Sequence, residues 1–358
     1  MSEELHYLLA KSFSNDISPE ERQQVTDTLL SIYQSPQSTI DIIEFLLNEQ
    51  NIVIRQAAAI GFKKSLSNNW EEISMSEFHE PVKEGLINIF INEKNKQIRH
   101  MLVQASTPIF ASDADDWPAL FELVTNLTDD KTKYSDIEFS MYLITYFSSH
   151  LSQANIEANF QFFLDLCNFS FETQNTELID TACGLVAVLI KLIAAEDMPV
   201  IETSFTKMLD IYLYTLSTSD EQSNENAISI TNKVAFAFEN DNYPIPNEAI
   251  LTKLFDATQY DPILAFNPII EFIETCGRKL TDSFDEIIER TFSIASSLFI
   301  DDSLEGNENS MYVLLAVEKM STSFANPRVF LPKLLKMLPT STPQETVISA
   351  MTISRVIQ

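Results

Sequence analysis

Five glycines in 358 residues constrain this chain more than any other feature. Average usage of roughly 7% would supply about 25. Sheets joined by tight turns need backbone positions with φ > 0, and so do Gly-rich loops that cradle phosphates. Five glycines barely furnish one such fold, so the chain is predicted to be all-α. Its hydrophobic content of 45% is too high for general disorder and requires a large core.

Apolar residues at i, i+3, i+4 and i+7 mark helix after helix, with few long connections. A short helix at 4–14 precedes "SPEERQQVTDTLLSIYQ". There Ser18 is placed as N-cap and Pro19 at the first helical position, with acids in the first turn. Pairs then follow at 38–50 with 51–70, 75–92 with 95–112, 116–128 with 133–151, and 154–171 with 176–195. Further pairs lie at 197–217 with 221–240, 247–259 with 261–278, 281–300 with 308–325, and 327–338 with 343–358. About nine pairs, each on the order of 40 residues, fall in the range of HEAT and armadillo arrays. One pair cannot bury its apolar face alone, so a right-handed α-solenoid of about nine HEAT-type hairpins is expected. The final pattern, "VISAMTISRVIQ", lacks a polar capping repeat, which predicts an array continuing beyond Gln358.

Charge narrows the partners. The formal net charge is −29, with 31 acids against 9 bases in residues 101–300. Such a surface repels nucleic acid and anionic lipid and attracts basic proteins. The N-terminus, "MSEELHYLLAKSF", carries acids where a secretory signal carries bases. The longest apolar run, Ala182 to Ala195, is broken by Lys191 and too short to span a bilayer. Cys167, Cys183 and Cys276 are scattered through apolar segments and read as buried thiols. His6, His79, His100 and His150 are dispersed, and no metal, Walker, GxGxxG or GxSxG motif occurs. No enzyme activity, cofactor or metal is expected. In "SDADDW", Asp116 is read as the N-cap of the next helix, with Asp113 and Asp115 favourable to its dipole.

Two stretches share a pattern: "NIVIRQAAAIGFKKSLSNNW" (51–70) and "NKQIRHMLVQASTPIFASDADDW" (95–117). Each opens on Asn, places Ile-Arg three and four residues later, and closes on one of the chain's two tryptophans. Asn51, Ile54-Arg55 and Ala57-Ala58-Ala59 resemble the second helix of a HEAT repeat, and Asn95, Ile98-Arg99 and Ala105 repeat that pattern. The run from Ile54 through Phe62-Lys63-Lys64 to Trp70 resembles the N-terminal domain of karyopherin-β (importin-β) transport receptors. The resemblance divides the chain into residues 1–117, an importin N-terminal-like domain, and 118–358, further HEAT repeats.

The resemblance implies a nuclear import receptor that shuttles between cytoplasm and nucleus, most simply as a monomer. Its implied partners are Ran-GTP, Phe-Gly nucleoporins and a basic cargo of histone or ribosomal-protein type, released on Ran-GTP binding. A nuclear export receptor and a static HEAT scaffold of phosphatase-regulatory or vesicle-adaptor type are the alternatives. Ran would lie on the second helices at 18–34, 51–67 and 95–112, with Gln56, Lys63 and Lys64 as contacts. Arg55 and Arg99, each heading an apolar stripe, are read instead as joints between repeats. Asp301, Asp302, Glu305 and Glu308 match the family's acidic loop by position and charge. Phe160, Phe163 and Phe205 are candidate nucleoporin contacts, although buried core is the commoner place for such rings.

Overall fold

The computed structural model describes residues 2–12, 17–193, 198–219, 224–239 and 248–276, with scattered helical positions between 286 and 353. Through residue 276 the described chain forms fifteen α-helices and two 3-10 turns, with no strand. The fold is all-α and built of HEAT-type helical hairpins. The helical pairs expected beyond residue 280 and the acidic loop at Asp301, Asp302, Glu305 and Glu308 lie outside the described residues.

The chain divides into two units, Met1–Leu166 and Cys167–Gln358. The first begins with α1 (Ser2–Ser12) and α2 (Pro19–Ile32), which pack together. It continues with α3 (Pro36–Asn48), α4 (Ile52–Ser74), α5 (His79–Asn92) and α6 (Lys96–Ala105). Next come α7 (Thr107–Asp113), α8 (Pro118–Thr128) and α9 (Tyr134–Phe147). Helices α3, α5 and α8 neighbour one another in one layer, and α4, α6 and α9 in a second. Helix α10 (Gln153–Phe171) crosses the boundary between the units.

The second unit holds α11 (Thr176–Leu192), α12 (Met198–Thr218), α13 (Asn224–Phe238), α14 (Glu248–Ala257) and α15 (Pro262–Cys276). Here α12 pairs with α14, while α11, α13 and α15 run as neighbours. Phe238 lies edge-on between Phe205 and Phe272, at centroid distances of 5.5 and 5.1 Å. Each ring fully withdrawn from water contributes about 1.5–3 kcal/mol.

Local chemistry accounts for the helix starts. Ser18 accepts from the Glu21 N–H at 3.1 Å, and Pro19 sits at the first helical position. The repeated asparagines are N-caps: Asn51 accepts from Val53 N–H at 3.0 Å and Asn95 from Ile98 N–H at 3.0 Å. Asn175 does the same for α11, accepting from Leu178 N–H at 2.9 Å. A cap of this kind is worth about 1 kcal/mol. Glycines in α4 and α5 serve close approach. A Cβ on Gly61 would lie 2.5 Å from the Tyr33 hydroxyl oxygen, and one on Gly85 2.5 Å from Ile43 Cγ2.

Two expectations need correction. The helix expected over 95–112 breaks at Ser106 into α6 and α7. Pro108 has no N–H to offer the Gln104 carbonyl, which instead accepts from Thr107 Oγ1 at 2.8 Å. Asp116 is not the cap of α8; Trp117 occupies that position and makes no side-chain cap bond. Asp115 instead reaches the start of α10, accepting from Ser152 N–H at 2.9 Å and Asn155 Nδ2 at 2.7 Å. Asp113 pairs with His79 and, at 3.2 Å, with Lys83 Nζ.

Candidate partner-binding surface

The two arginines lie at joints between hairpins. Arg55 donates from Nε and Nη2 to the two Glu93 carboxylate oxygens, at 2.9 and 3.3 Å. Its Nη1 donates to the carbonyls of Glu49 and Gln50 at the end of α3. Glu93 uses Oε1 again to accept from the Lys94 and Asn95 N–H groups at the loop before α6. One guanidinium–carboxylate fork therefore ties the α3 end and α4 to the next hairpin.

Arg99 repeats the arrangement one hairpin later. It donates to Asp136 Oδ1 and to the Phe90 carbonyl, both at 3.0 Å, and lies 4.5 Å over the Phe139 ring. Its side chain is only 2% exposed. Asp136 sits in the first turn of α9, where an acid also suits the helix dipole. Both arginines are structural, as their place at the head of an apolar stripe implied.

The remaining face of α4 is different. Val53, Ile60, Lys63 and Lys64 are exposed, with Gln56 half-buried among them. Their spacing of three and four residues makes them one stripe. Lys63 and Lys64 have no ion pair or hydrogen bond to any described residue. Between residues 17 and 276, every other described Lys and Arg is engaged with at least one group. Gln56 Nε2 donates to Gln97 Oε1 at 3.1 Å, carrying the polar surface from α4 to α6. Gln104 continues it to α9, donating to the Tyr142 hydroxyl at 2.7 Å, and His100 stacks on the Tyr142 ring at 3.5 Å. Burial raises the Tyr142 hydroxyl pKa, so this group stays protonated. Of the three second helices proposed from sequence, α4 and α6 lie side by side. The end of α2 joins them through Tyr33, whose carbonyl accepts from Asn69 Nδ2 at 3.0 Å.

Phe160, Phe163 and Phe205 do not present their rings. They are 8%, 1% and 2% exposed, and the amphipathic pattern that puts them on helices also turns them into the hairpin cores. A half-exposed ring that sequence reasoning missed is Phe236, with Lys191 Nζ 3.2 Å from its centroid. Only its neighbour Lys191, 45 positions earlier, marks it. Cys167 and Cys183 are free and buried, and burial pushes both thiols up, Cys183 to about 12. Neither is a nucleophile at neutral pH. Among the described residues no His/Cys/Asp/Glu group is arranged to hold a metal, and no helix is long and apolar enough to cross a membrane.

Comparison with known proteins agrees with this organisation. Residues 25–107 match the importin-β N-terminal domain. No curated protein matches the chain. Among solved structures, Kap121p bound to RanGTP superposes with a TM-score of 0.71 at 14% identity, over 99% of this chain and 36% of that one. Kap121p bound to Pho4p gives 0.71 at 14%, and Kap121p bound to Nup53p gives 0.68 at 14%. Each of these two is covered over 37% of its length, with 99% of this chain aligned. The chain thus spans a little over a third of the structures it resembles, with helices in the same arrangement. Residues 25–107 thus carry an importin-β N-terminal domain, and the fold of the whole chain is similar to that of the karyopherin solenoids.

Proposed function

We propose that the protein is a nuclear import receptor, shuttling between cytoplasm and nucleus, with Ran-GTP bound across α4 and α6. The observation that carries the reading is the Lys63–Lys64 pair: two ammonium groups on an acidic chain with no partner among the described residues, beside exposed Ile60 and on the same stripe as exposed Val53. Unpaired cations next to exposed apolar side chains suit a protein partner that brings carboxylates and apolar contacts. Gln56, already held by Gln97, adds a fixed amide to that surface. The similar Kap121p was solved with RanGTP, with Nup53p and with Pho4p. By that likeness the other partners are Phe-Gly nucleoporins and a protein cargo. The acidic charge of residues 101–300 favours a basic cargo, released when Ran-GTP binds.

The work done is binding and release, with no bond made or broken by the receptor. Pull-down of the chain with Ran loaded with GTP or GDP tests the reading. A strong preference for the GTP form is expected, and equal or absent binding of both forms overturns it. A static scaffold would carry a regular arginine ladder through all its repeats, whereas among the described residues the ladder has two rungs, Arg55 and Arg99. An export receptor would hold cargo only with Ran-GTP present, whereas an import receptor loses cargo on its addition.

A further inference from the structure

On the opposite layer of the first unit, α5 and α8 leave a groove of about 320 Å³. Ile87, Pro118 and Ala119 line it with apolar surface, and Asn88 supplies an amide. Glu80, Glu84 and Asp116 stand along its walls. Glu122 lies one turn beyond Pro118 on α8 and is exposed. Glu84, Glu122 and the Asp116 carboxylate face no cation among the described residues.

The one ammonium at this place is already spent. Lys83 is buried, with Nζ bonded to Asp113 at 3.2 Å and to the Asp116 carbonyl at 3.4 Å, and 5.6 Å from the Trp117 ring centroid. Its Nζ lies 3.7 Å from Glu80 Oε1. A lysine head near the Trp117 ring and among carboxylates is thus a contact this region already makes with the protein's own side chain. Lys83 and Trp117 line the same groove, and that contact leaves the Glu84 and Asp116 carboxylates unanswered.

We infer that the α5–α8 groove docks an extended basic segment of a protein partner, with an aliphatic residue over Ile87 and flanking Lys or Arg heads at Glu84, Asp116 and Glu122. Charge complementarity selects this occupant. Three unspent carboxylates disfavour an acidic peptide, and an uncharged Phe-Gly peptide leaves them unanswered. Residues two apart in an extended chain project to the same side and neighbours alternate, which matches an apolar floor between acidic walls. The site lies on the other layer from Lys63 and Lys64, so it is independent of the proposed Ran surface.

The test uses the whole chain and a labelled peptide of alternating lysine and valine, read by fluorescence anisotropy. Two control peptides carry glutamate for lysine and repeated Phe-Gly. The lysine peptide is expected to bind, and Glu84→Lys with Asp116→Lys to weaken it roughly tenfold or more. Glu71→Lys with Glu72→Lys, the same charge change on exposed positions of α4, is expected to leave binding within about twofold. The inference is overturned if the groove variant binds as tightly as the natural chain. It is equally overturned if the α4 variant loses as much, or if either control peptide binds as well as the lysine peptide. All four positions are exposed or half-exposed, and far-ultraviolet circular dichroism verifies that both variants keep their helices.

Discussion

In the first unit, the joints between successive second helices centre on guanidinium groups, with the half-exposed Lys96 adding one ammonium to Glu138 at 3.3 Å; in the second unit, among the described residues, they are made by ammonium groups alone. Arg55 and Arg99 each hold a carboxylate of the following hairpin and a carbonyl of the preceding helix. Between α11 and α13 the cations run both ways, and Lys191 of the earlier helix reaches forward to Glu239 at 3.2 Å. Lys233 of the later helix reaches back to Asp180, 2.5 Å from Oδ1 and 2.8 Å from the carbonyl. Ser229 donates to the same carboxylate at 2.8 Å. Lys207 with Glu172 and Lys253 with Asp210 also point backwards. The environments differ as much as the chemistry. Arg99 is 2% exposed and its fork is fixed, whereas Lys233 is 24% exposed on a flexible stem. A planar fork satisfies several acceptors in one geometry, and an ammonium is a hydrated point charge that accommodates movement. The first unit is therefore expected to resist change at its joints and the second to tolerate it.

The largest effect should come from Arg99→Ala. Removing one partner of a buried pair leaves Asp136 and the Phe90 carbonyl without their donor, at a cost of about 3–5 kcal/mol. Lys233→Ala, at a joint open to water, should cost no more than about 1 kcal/mol. Urea denaturation followed by circular dichroism compares the two. Equal losses would break the distinction between the units, and failure of Arg99→Lys to restore stability would sharpen it towards fork geometry.

Next come the glycines. A methyl group at Gly85 meets Ile43 Cγ2 at 2.5 Å, and overpacking of this kind costs about 1–3 kcal/mol. At Gly184 the nearest atom is Lys233 Cε at 3.4 Å, the end of a flexible side chain. Gly184→Ala should therefore be neutral or stabilise by about 0.5–1 kcal/mol through helix propensity. Thermal melts of both variants decide this, and destabilisation by Gly184→Ala would show α11 and α13 to be packed as tightly as α3 and α5.

Acid should weaken the first unit through Asp113 and Asp115. Burial alone would raise the Asp113 pKa, but hydrogen bonds from Ser112, His79 and Lys83 bring it below the usual carboxylate value. Asn155 and the Ser152 backbone lower Asp115. Groups depressed in the folded state stabilise fully above the unfolded pKa, near 4, and lose that contribution as pH falls through the folded pKa. The difference in melting temperature between the natural chain and Asp113→Asn with Asp115→Asn should thus be largest at neutral pH and shrink below about pH 4. A constant gap from pH 7 to pH 2.5 would contradict it.

How much of this was legible follows from how far each interaction reaches along the chain. Gly scarcity and helical periodicity are local, so the hairpins of the described residues could be drawn to within a few residues, and Asn51 and Asn95 were visible as heads of their helices. Pro108 also marked the break at Ser106, although the apolar pattern running across it was the stronger cue. The distant partners were not visible: Asp136 lies 37 residues after Arg99, and Lys233 53 after Asp180. Asp115 looked like a local helix acid because its partners, Ser152 and Asn155, belong to a helix two elements later. Periodicity placed the phenylalanines on helices, but the face each helix buries is set by neighbours it does not name.

Lys63 and Lys64 are the limiting case, since what distinguishes them is the absence of a partner among the described residues, which no local pattern can reveal. Their replacement should have the smallest effect on stability and the sharpest on binding. Lys63→Glu with Lys64→Glu removes no contact to a described residue and changes only exposed charges, so the shift in stability should stay within about 0.5 kcal/mol. On the proposed surface the same change places two acids where a partner's carboxylates would arrive, and like-charge contacts of this kind act strongly on association. Titration of both chains with Ran-GTP at low and high salt measures it. A large loss at low salt with an unchanged melting curve is expected. Unchanged Ran-GTP affinity would separate the lysine pair from the partner surface and leave it a solvated helix face.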